Sequence, residues 1–511
     1  MPRSALRRRA AAGRRILAAV AATATAAAVA GLGAATAPTH HSVTDAGWAS
    51  GAWLGSSTGS GGTTLAAVRA SINASTGAAA GLTGAGVGVA LIDTGVAPVP
   101  GLPAAQIVNG PDLSFESQDP DLRYLDTYGH GTHMAGIIVG NDPSTGTVGL
   151  APKAKLTSVK VGTANGAVDV TQMVAAIDWV VAHRNDDPAN PIRVINISYG
   201  TGGTPNSWTD PVQFAVEQAW MKGIVVVAAA GNEGNSDIVV SDPASDPAVI
   251  AVAASTTKGT ASVTDDDFAS FTTIGGSNRS VDFVAPGESI VSLADPGSNV
   301  DLTYPSAKVG TTLLRGSGSS QAAAVTSAAV ALLLQARPTL TPDQVKTVLS
   351  TSASFVSGLA MTRNIRALNV GAALTSQNLY ATGWNKSSGT GRLDDARGSS
   401  RLVRDNVALS GDNSVWGPLN TTAWAQRSAA VTAWSGGTWM GYRVAGDNWT
   451  GSSWASKTWA AATWTGKPWN GASTWTDPDW AGHYWSGHYW SGHYWSGHYW
   501  SSDDWSTASW K

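Results

Sequence analysis

The sequence predicts an α/β fold, a mainly parallel sheet covered by helices on both faces, followed by a low-complexity Trp-repeat tail. Three observations carry this. From Val87 onward, short and nearly continuous apolar runs alternate with longer segments of helical periodicity, the pattern of strands buried on both faces. Residues suited to chemistry follow those apolar runs, where open α/β sheets place their sites. Finally, from Trp449 onward Trp recurs with a period of five, broken once by a step of six, as an internal repeat.

Taken in order, a Gly/Ser/Thr-rich connector over residues 51–64 leads into 65–72, whose apolar spacing suits one short helix. Strands are expected at 87–92, 156–161, 192–197 and 224–230. A helix over 173–183 precedes the third of these. Another has Pro211 at its start, Lys222 in its last turn and Gly223 to stop it. An Ala-rich helix runs from about Ser320 to Ala336 and must end before Pro338. The expected organisation is a signal peptide over 1–30, a linker or short pro-region over 31–80, an α/β domain over 81–374, a linker over 375–415 and the Trp-rich tail over 416–511.

Composition bounds the reading further. The chain has 511 residues, 13% of them charged, with a net charge of −3, so no nucleic-acid partner is expected. Arg3, Arg7, Arg8, Arg9, Arg14 and Arg15 precede an apolar, Ala-rich stretch over 16–30 and small residues at Ala28-Val29-Ala30. That is the pattern of a secretory signal, so the protein is expected to be secreted or attached to the cell surface. A transmembrane anchor is the rival, but the run is shorter than the roughly 20 residues a spanning helix needs. Arg14-Arg15 leaves twin-arginine export open beside the general route. The chain contains no cysteine, which excludes disulfides, a thiol nucleophile and a Cys-zinc centre. An exported domain must then rely on its core, and one of about 300 residues buries about three quarters of its surface.

The chemistry-bearing blocks are Leu91-Ile92-Asp93-Thr94-Gly95, then Tyr128-Gly129-His130-Gly131-Thr132-His133, then Gly318-Ser319-Ser320-Gln321-Ala322. Acyl transfer by serine needs a nucleophile, a base, a carboxylate to orient the base and donors for the oxyanion. Of nine histidines, His40 and His41 follow the signal region, four lie in the tail repeat, and His183 ends a helix, which leaves His130 and His133. A His-x-x-His metal pair is the rival reading of those two. Ser317, Ser319 and Ser320 crowd together, and spacing alone leaves the nucleophile open.

With these blocks and Val227-Ala228-Ala229-Ala230-Gly231-Asn232-Glu233-Gly234, the chain over about residues 80–375 resembles the subtilisin-like (S8) serine peptidases. The chain order Asp, His, Ser is theirs. The resemblance implies a subtilisin-like three-layer fold and selects Asp93, His130 and Ser320 as the triad, with Ser319 in place of the family's Thr. After Ala322 the family continues Ser-Pro-His, where this chain has Ala323-Ala324-Val325. Asn232 matches the family's oxyanion donor. Ser198, Tyr199 and Gly200 match one substrate-pairing wall, Ala229, Ala230 and Gly231 the other, and the strand-like Gly166-Ala167-Val168 would pair with the far side of an extended peptide.

The implied function is a secreted serine endopeptidase acting on polypeptides, with no cofactor required for the chemistry and no catalytic metal. A dedicated maturation peptidase for a few exported partners, or an inactive fold used for binding, are the alternatives. Asp265-Asp266-Asp267 is open to a structural calcium or to a solvated turn. In the tail, four His-Tyr-Trp units at His483, His488, His493 and His498 suit cell-wall attachment or self-association by stacking, with metal binding as a rival. A period of five matches neither the helix nor the strand repeat.

Overall fold

A computed structural model describes residues 62–443, apart from 119–121, 165, 167, 203–206, 237–238, 357–364, 382, 399, 405–406 and 436. The signal region, residues 31–61 and the Trp repeat from Trp449 lie outside the described residues.

The apolar runs become parallel strands. They are β1 (Gly88–Asp93), β2 (Ile107–Asp112), β3 (Lys155–Lys160), β4 (Ile192–Ile197), β5 (Val225–Ala229), β6 (Ile250–Thr256) and β7 (Phe283–Pro286). Their spatial order is β7-β6-β5-β4-β1-β3-β2, each pair parallel, and Asp267–Phe268 adds a short antiparallel strand against β6. β1 and β5 are buried at every position, as strands covered on both faces must be.

The main helices are α1 (Leu65–Ser71), α2 (His130–Val139), α3 (Val170–His183), α4 (Pro211–Met221), α5 (Ser319–Ala336) and α6 (Pro342–Ser352). Two small ones follow, α7 (Leu393–Arg397) and α8 (Thr421–Ala429). α2 packs with α5, and α3 packs with α4. α5 is long and apolar enough to cross a membrane, yet its hydropathic stretch is 89% buried inside the fold, against β4 to β7. It is the central core helix.

The expected strands and helices match to within a few residues. α3 starts earlier than expected, at Val170, because Asp169 caps it: Asp169 Oδ1 accepts the Thr171 N–H at 3.0 Å and Gln172 Oε1 accepts the Asp169 N–H at 2.8 Å. α4 starts at Pro211 and gives way at Gly223, whose φ of +87° is left-handed, as expected.

Two stretches expected as linkers contain packed segments. Residues 62–80 belong to the packed body: Leu65 and Val68 of α1 are buried, and Arg69 donates to the carbonyls of Leu150 and Leu82. Residues 384–443 also fold onto the body, so 375–415 is not simply a linker and the Trp-rich part of the chain is not all tail. The anchors are polar groups inside an apolar contact. Asp178 of α3 accepts the indole N–H of Trp424 at 2.8 Å and of Trp439 at 2.9 Å, and the Ser428 hydroxyl at 2.5 Å. The Trp434 indole donates to the Ala175 carbonyl at 2.8 Å. Trp434 and Trp439, five residues apart, face one another as cross-strand partners. A spacing that suits neither a helix nor one flat strand therefore suits the two arms of a hairpin.

Candidate active site

β1 is the point where the sheet reverses: the chain goes from it to β2 and β3 on one side, and later strands build outward from β4 on the other. Such a switch point leaves a crevice at the carboxyl ends of the strands. Asp93 is the last residue of β1 and is fully buried there. Its Oδ1 lies 2.8 Å from His130 Nδ1 and also accepts the Thr94 N–H at 2.8 Å.

His130 is the first residue of α2, and its position is set by its neighbours. A methyl group on Gly131 would run into the Gly95 carbonyl oxygen and would stand 3.1 Å from Asp93 Oδ1, so only glycine lets the helix come this close to β1. Gly129, with φ +101°, makes the turn into α2. Asp126 completes the arrangement: one oxygen accepts the Gly129 N–H and the Thr94 hydroxyl, each at 2.7 Å, and the other accepts the Thr132 N–H at 2.7 Å. Thr94 in turn accepts the Gly131 N–H at 3.0 Å. A carboxylate thus ties the start of α2 to the loop after β1, at the helix end that favours negative charge. Sequence reasoning passed over Asp126, although an acid four residues ahead of a helix-starting His is a legible signal.

Beneath this loop, Lys160 and Glu116 form a buried pair at 2.9 Å, and Lys160 Nζ donates to the Thr94 carbonyl at 2.7 Å. Burial raises the Glu116 carboxyl above its ordinary range, and Lys160 opposes that rise. His133 lies on the next residues of α2, fully buried, and burial depresses its imidazole to about 3, so it is neutral. Among the described residues no group of three or more His, Cys, Asp and Glu is arranged to hold a metal ion.

The three crowded serines separate by their partners. Ser317 Oγ accepts the Ser289 N–H at 2.8 Å, and Ser319 Oγ accepts the Gly231 N–H at 3.2 Å. Ser320, in the first turn of α5, has its hydroxyl 3.5 Å from the Ser198 carbonyl, just beyond β4. Since β4 is the neighbour of β1, and α5 packs beside α2, Ser320 comes to the same strand ends as Asp93 and His130. Asn232, beyond β5, accepts the Ser319 N–H on its side-chain oxygen at 2.8 Å, which turns the amide NH2 the other way.

The candidate substrate segments surround this point. Ser198 is held from below by Asn196 Nδ2 at 2.9 Å, and Asn196 by the Ser327 hydroxyl of α5 at 2.9 Å. Gly200 packs against Ser241, whose N–H donates to the Ala230 carbonyl at 3.0 Å and whose hydroxyl donates to the Ala229 carbonyl at 3.2 Å. Gly231, at φ +118°, is braced by the Thr273 N–H on its carbonyl at 3.0 Å. Tyr199 is half-buried, and burial together with Asp169 and Asp242 raises its phenol. Gly166, at φ +80°, stands ahead of α3, and Ala167 lies outside the described residues. The three aspartates 265–267 diverge: Asp265 accepts the Thr260 hydroxyl, Asp266 is buried and pushed up to about 7, and Asp267 accepts the exposed Phe268 N–H.

The family model Peptidase S8, subtilase family, matches residues 84–392. Serine protease AprX of Bacillus subtilis (strain 168) is 36% identical over 275 residues, 52% of this chain and 61% of AprX. Minor extracellular protease Epr of the same organism is 35% identical over 267 residues, and the match spans 52% of this chain and 35% of Epr. Subtilisin DY of Bacillus licheniformis is 34% identical over 279 residues, 54% of this chain and 86% of that protein. With a family model covering more than half its length and a subtilisin aligned over most of its own, the chain belongs to the subtilase family of S8 peptidases.

Proposed function

We propose that the protein is a secreted serine endopeptidase that hydrolyses peptide bonds in polypeptides through Asp93, His130 and Ser320, with Asn232 in the oxyanion hole. The observation that carries this is the Asp93–His130 contact of 2.8 Å at the switch point of the sheet, with Ser320 at the start of the neighbouring core helix. Asp93 holds the Nδ1–H of His130, which leaves Nε2 to take the Ser320 proton as Oγ attacks the scissile carbonyl. The tetrahedral oxygen then gains negative charge. The Asn232 amide NH2 and the first-turn N–H groups of α5 receive it, and the helix end adds a favourable dipole. Proton return from His130 to the leaving amine breaks the bond, and water repeats the sequence on the acyl-enzyme.

The chemistry draws on no cofactor. Secretion is supported by the basic, apolar and small-residue succession at the amino terminus and by the extracellular naming of the relative Epr. The Trp repeat serves retention on cell-wall material or self-association, and the triad owes nothing to it.

The test compares two neighbouring serines. Ser320→Ala abolishes casein hydrolysis and labelling by a fluorophosphonate while the protein stays folded. Ser319→Ala keeps activity within about ten-fold, since it loses only a hydrogen bond to the Gly231 N–H. A dead Ser319 variant beside an active Ser320 variant would overturn the assignment.

A further inference from the structure

Residues just beyond the family-matched region form a tie across the three substrate segments. We propose that Arg397 is a positioning residue: from α7 it fixes the far substrate strand relative to the two walls, so that binding of extended peptides depends on it. This rests on the peptidase reading above.

Arg397 is fully buried. Its Nε donates to Asp169 Oδ2 at 2.6 Å and its Nη2 to Asp169 Oδ1 at 3.2 Å. The remaining donors reach the Gly411 carbonyl at 3.0 Å, the Asn413 carbonyl at 2.5 Å and Asp394 Oδ1 at 3.2 Å. The fork is filled. Asp169 is one residue past Val168, and the same carboxylate caps α3, so the guanidinium sets the backbone where the far substrate strand ends.

On the other side, the residue before Arg397 reaches the walls. The Thr201 hydroxyl donates to the Ala396 carbonyl at 2.7 Å. Thr201 also pairs with Asp242 through both backbone N–H groups, at 2.9 and 3.1 Å. The neighbouring Ser241 holds the carbonyls of Ala229 and Ala230. A continuous path therefore runs from residues 229–231 through 241–242, Thr201 and α7 to Asp169. Tyr199 stands within it, in electrostatic contact with Asp169, Asp242 and Arg397.

A buried ion pair seldom adds net stability over an apolar pair of the same size. A two-pronged guanidinium–carboxylate contact does add direction, which a lysine does not reproduce. Direction matters to a peptide bound by strand addition on both sides, because each added residue pairs only if both edges keep their spacing. A small ester that reaches only Ser320 makes no such demand. The family model's match ends at residue 392, so Arg397 lies just beyond it.

The experiment uses the full chain with Arg397→Lys, Asp169→Asn and Thr201→Val. Each is assayed with p-nitrophenyl acetate and with a series of peptide amides lengthened one residue at a time from the scissile bond. In the wild type KM falls as the peptide lengthens. Arg397→Lys loses most of that benefit, raising KM for the longest peptide about ten-fold or more, with ester turnover and fluorophosphonate labelling within about two-fold. Thr201→Val, which deletes a single hydrogen bond and keeps the fold, shows the same length-selective loss to a smaller degree. An active wild type whose Arg397→Lys and Thr201→Val variants keep the full benefit of length overturns this proposal alone, as does an equal loss on ester and long peptide. A wild type inert to the fluorophosphonate overturns the peptidase reading and this proposal with it.

Discussion

The parallel sheet and the wrap formed by residues 384–443 are attached by different physics. β1, β4 and β5 are held among Ala, Val, Leu and Ile side chains that exclude water without choosing a direction. The wrap is held by a few directional groups: three donors converging on Asp178, the Trp434 indole on a carbonyl, and Arg397 on Asp169. Its rings pack edge-on, as Phe214 does with Trp424 at 5.4 Å between centroids and Trp416 with Trp439 at 5.5 Å. The contrast teaches that a segment without a long apolar pattern can still be integral, provided its few polar anchors are buried and satisfied.

The largest test sets one anchor against one core residue. Asp178→Ala strands three buried donors and costs about 3 kcal/mol or more. The loss falls on the wrap: amide exchange over 384–443 accelerates while the sheet stays protected. Ile92→Ala removes core volume beside Asp93 and costs about 2–5 kcal/mol, lowering protection everywhere at once. Equal acceleration of wrap and sheet in the Asp178 variant would erase the distinction.

Next in size is a pH dependence. Burial pushes the Asp178 carboxyl up to about 6 against three hydrogen bonds that lower it, and pushes Glu217, which accepts the Ser387 N–H, up to about 8. Between the ordinary carboxyl range and these values the folded protein holds more protons than the unfolded chain, so stability falls as pH rises through that window. For Asp178, a carboxyl at about 6 against a reference of 3.8 corresponds to about 3 kcal/mol lost on full ionisation. Thermal unfolding of the Ser320→Ala protein, chosen to prevent self-digestion, shows a declining midpoint from pH 5 to 8. Asp178→Asn removes the part of the decline centred near 6. A midpoint that rises across this range would contradict the assignment.

The smallest effect sharpens the picture of single anchors. Trp434→Phe keeps an aromatic six-membered ring but loses the indole's second ring and its donor to the Ala175 carbonyl, at a cost of about 1–2 kcal/mol read by denaturant unfolding. A cost of several kcal/mol would mean that the ring's packing, not the hydrogen bond, dominates there.

Four of the seven parallel strands, β1, β3, β4 and β5, could be read from the chain as short apolar runs, whereas β2, β6 and β7 were not expected. β2 reads Ile-Val-Asn-Gly-Pro-Asp, too polar to stand out as a strand, and its polar residues are buried by partners outside the strand, such as Tyr124, which donates its N–H to Asp112. β7 is four residues long and ends in Pro286. Asp93, His130, Asn232 and Ser320 stood out by motif, and the structure gathers them at the ends of β1, β4 and β5. Lys160 did not, since its importance comes from what it touches, whereas Asp126 is signalled only by its place four residues ahead of His130. Likewise the wrap is built of elements two to nine residues long, and the closure of Arg397 on Asp169 spans 228 positions. No local pattern encodes such a pairing.

α5 carries Ser320 at its start and fills the centre of the fold with alanines, Ala322, Ala323, Ala324, Ala328, Ala329 and Ala331, all fully buried. The methyl groups set how near the helix lies to the sheet. Inheritance follows from this: a mutation that enlarges any of these positions moves Ser320 along with the core, so its hydroxyl cannot drift independently of foldability. New specificities in such a lineage must arise from the peripheral strands and the wrap, where sequence can change without lifting that helix.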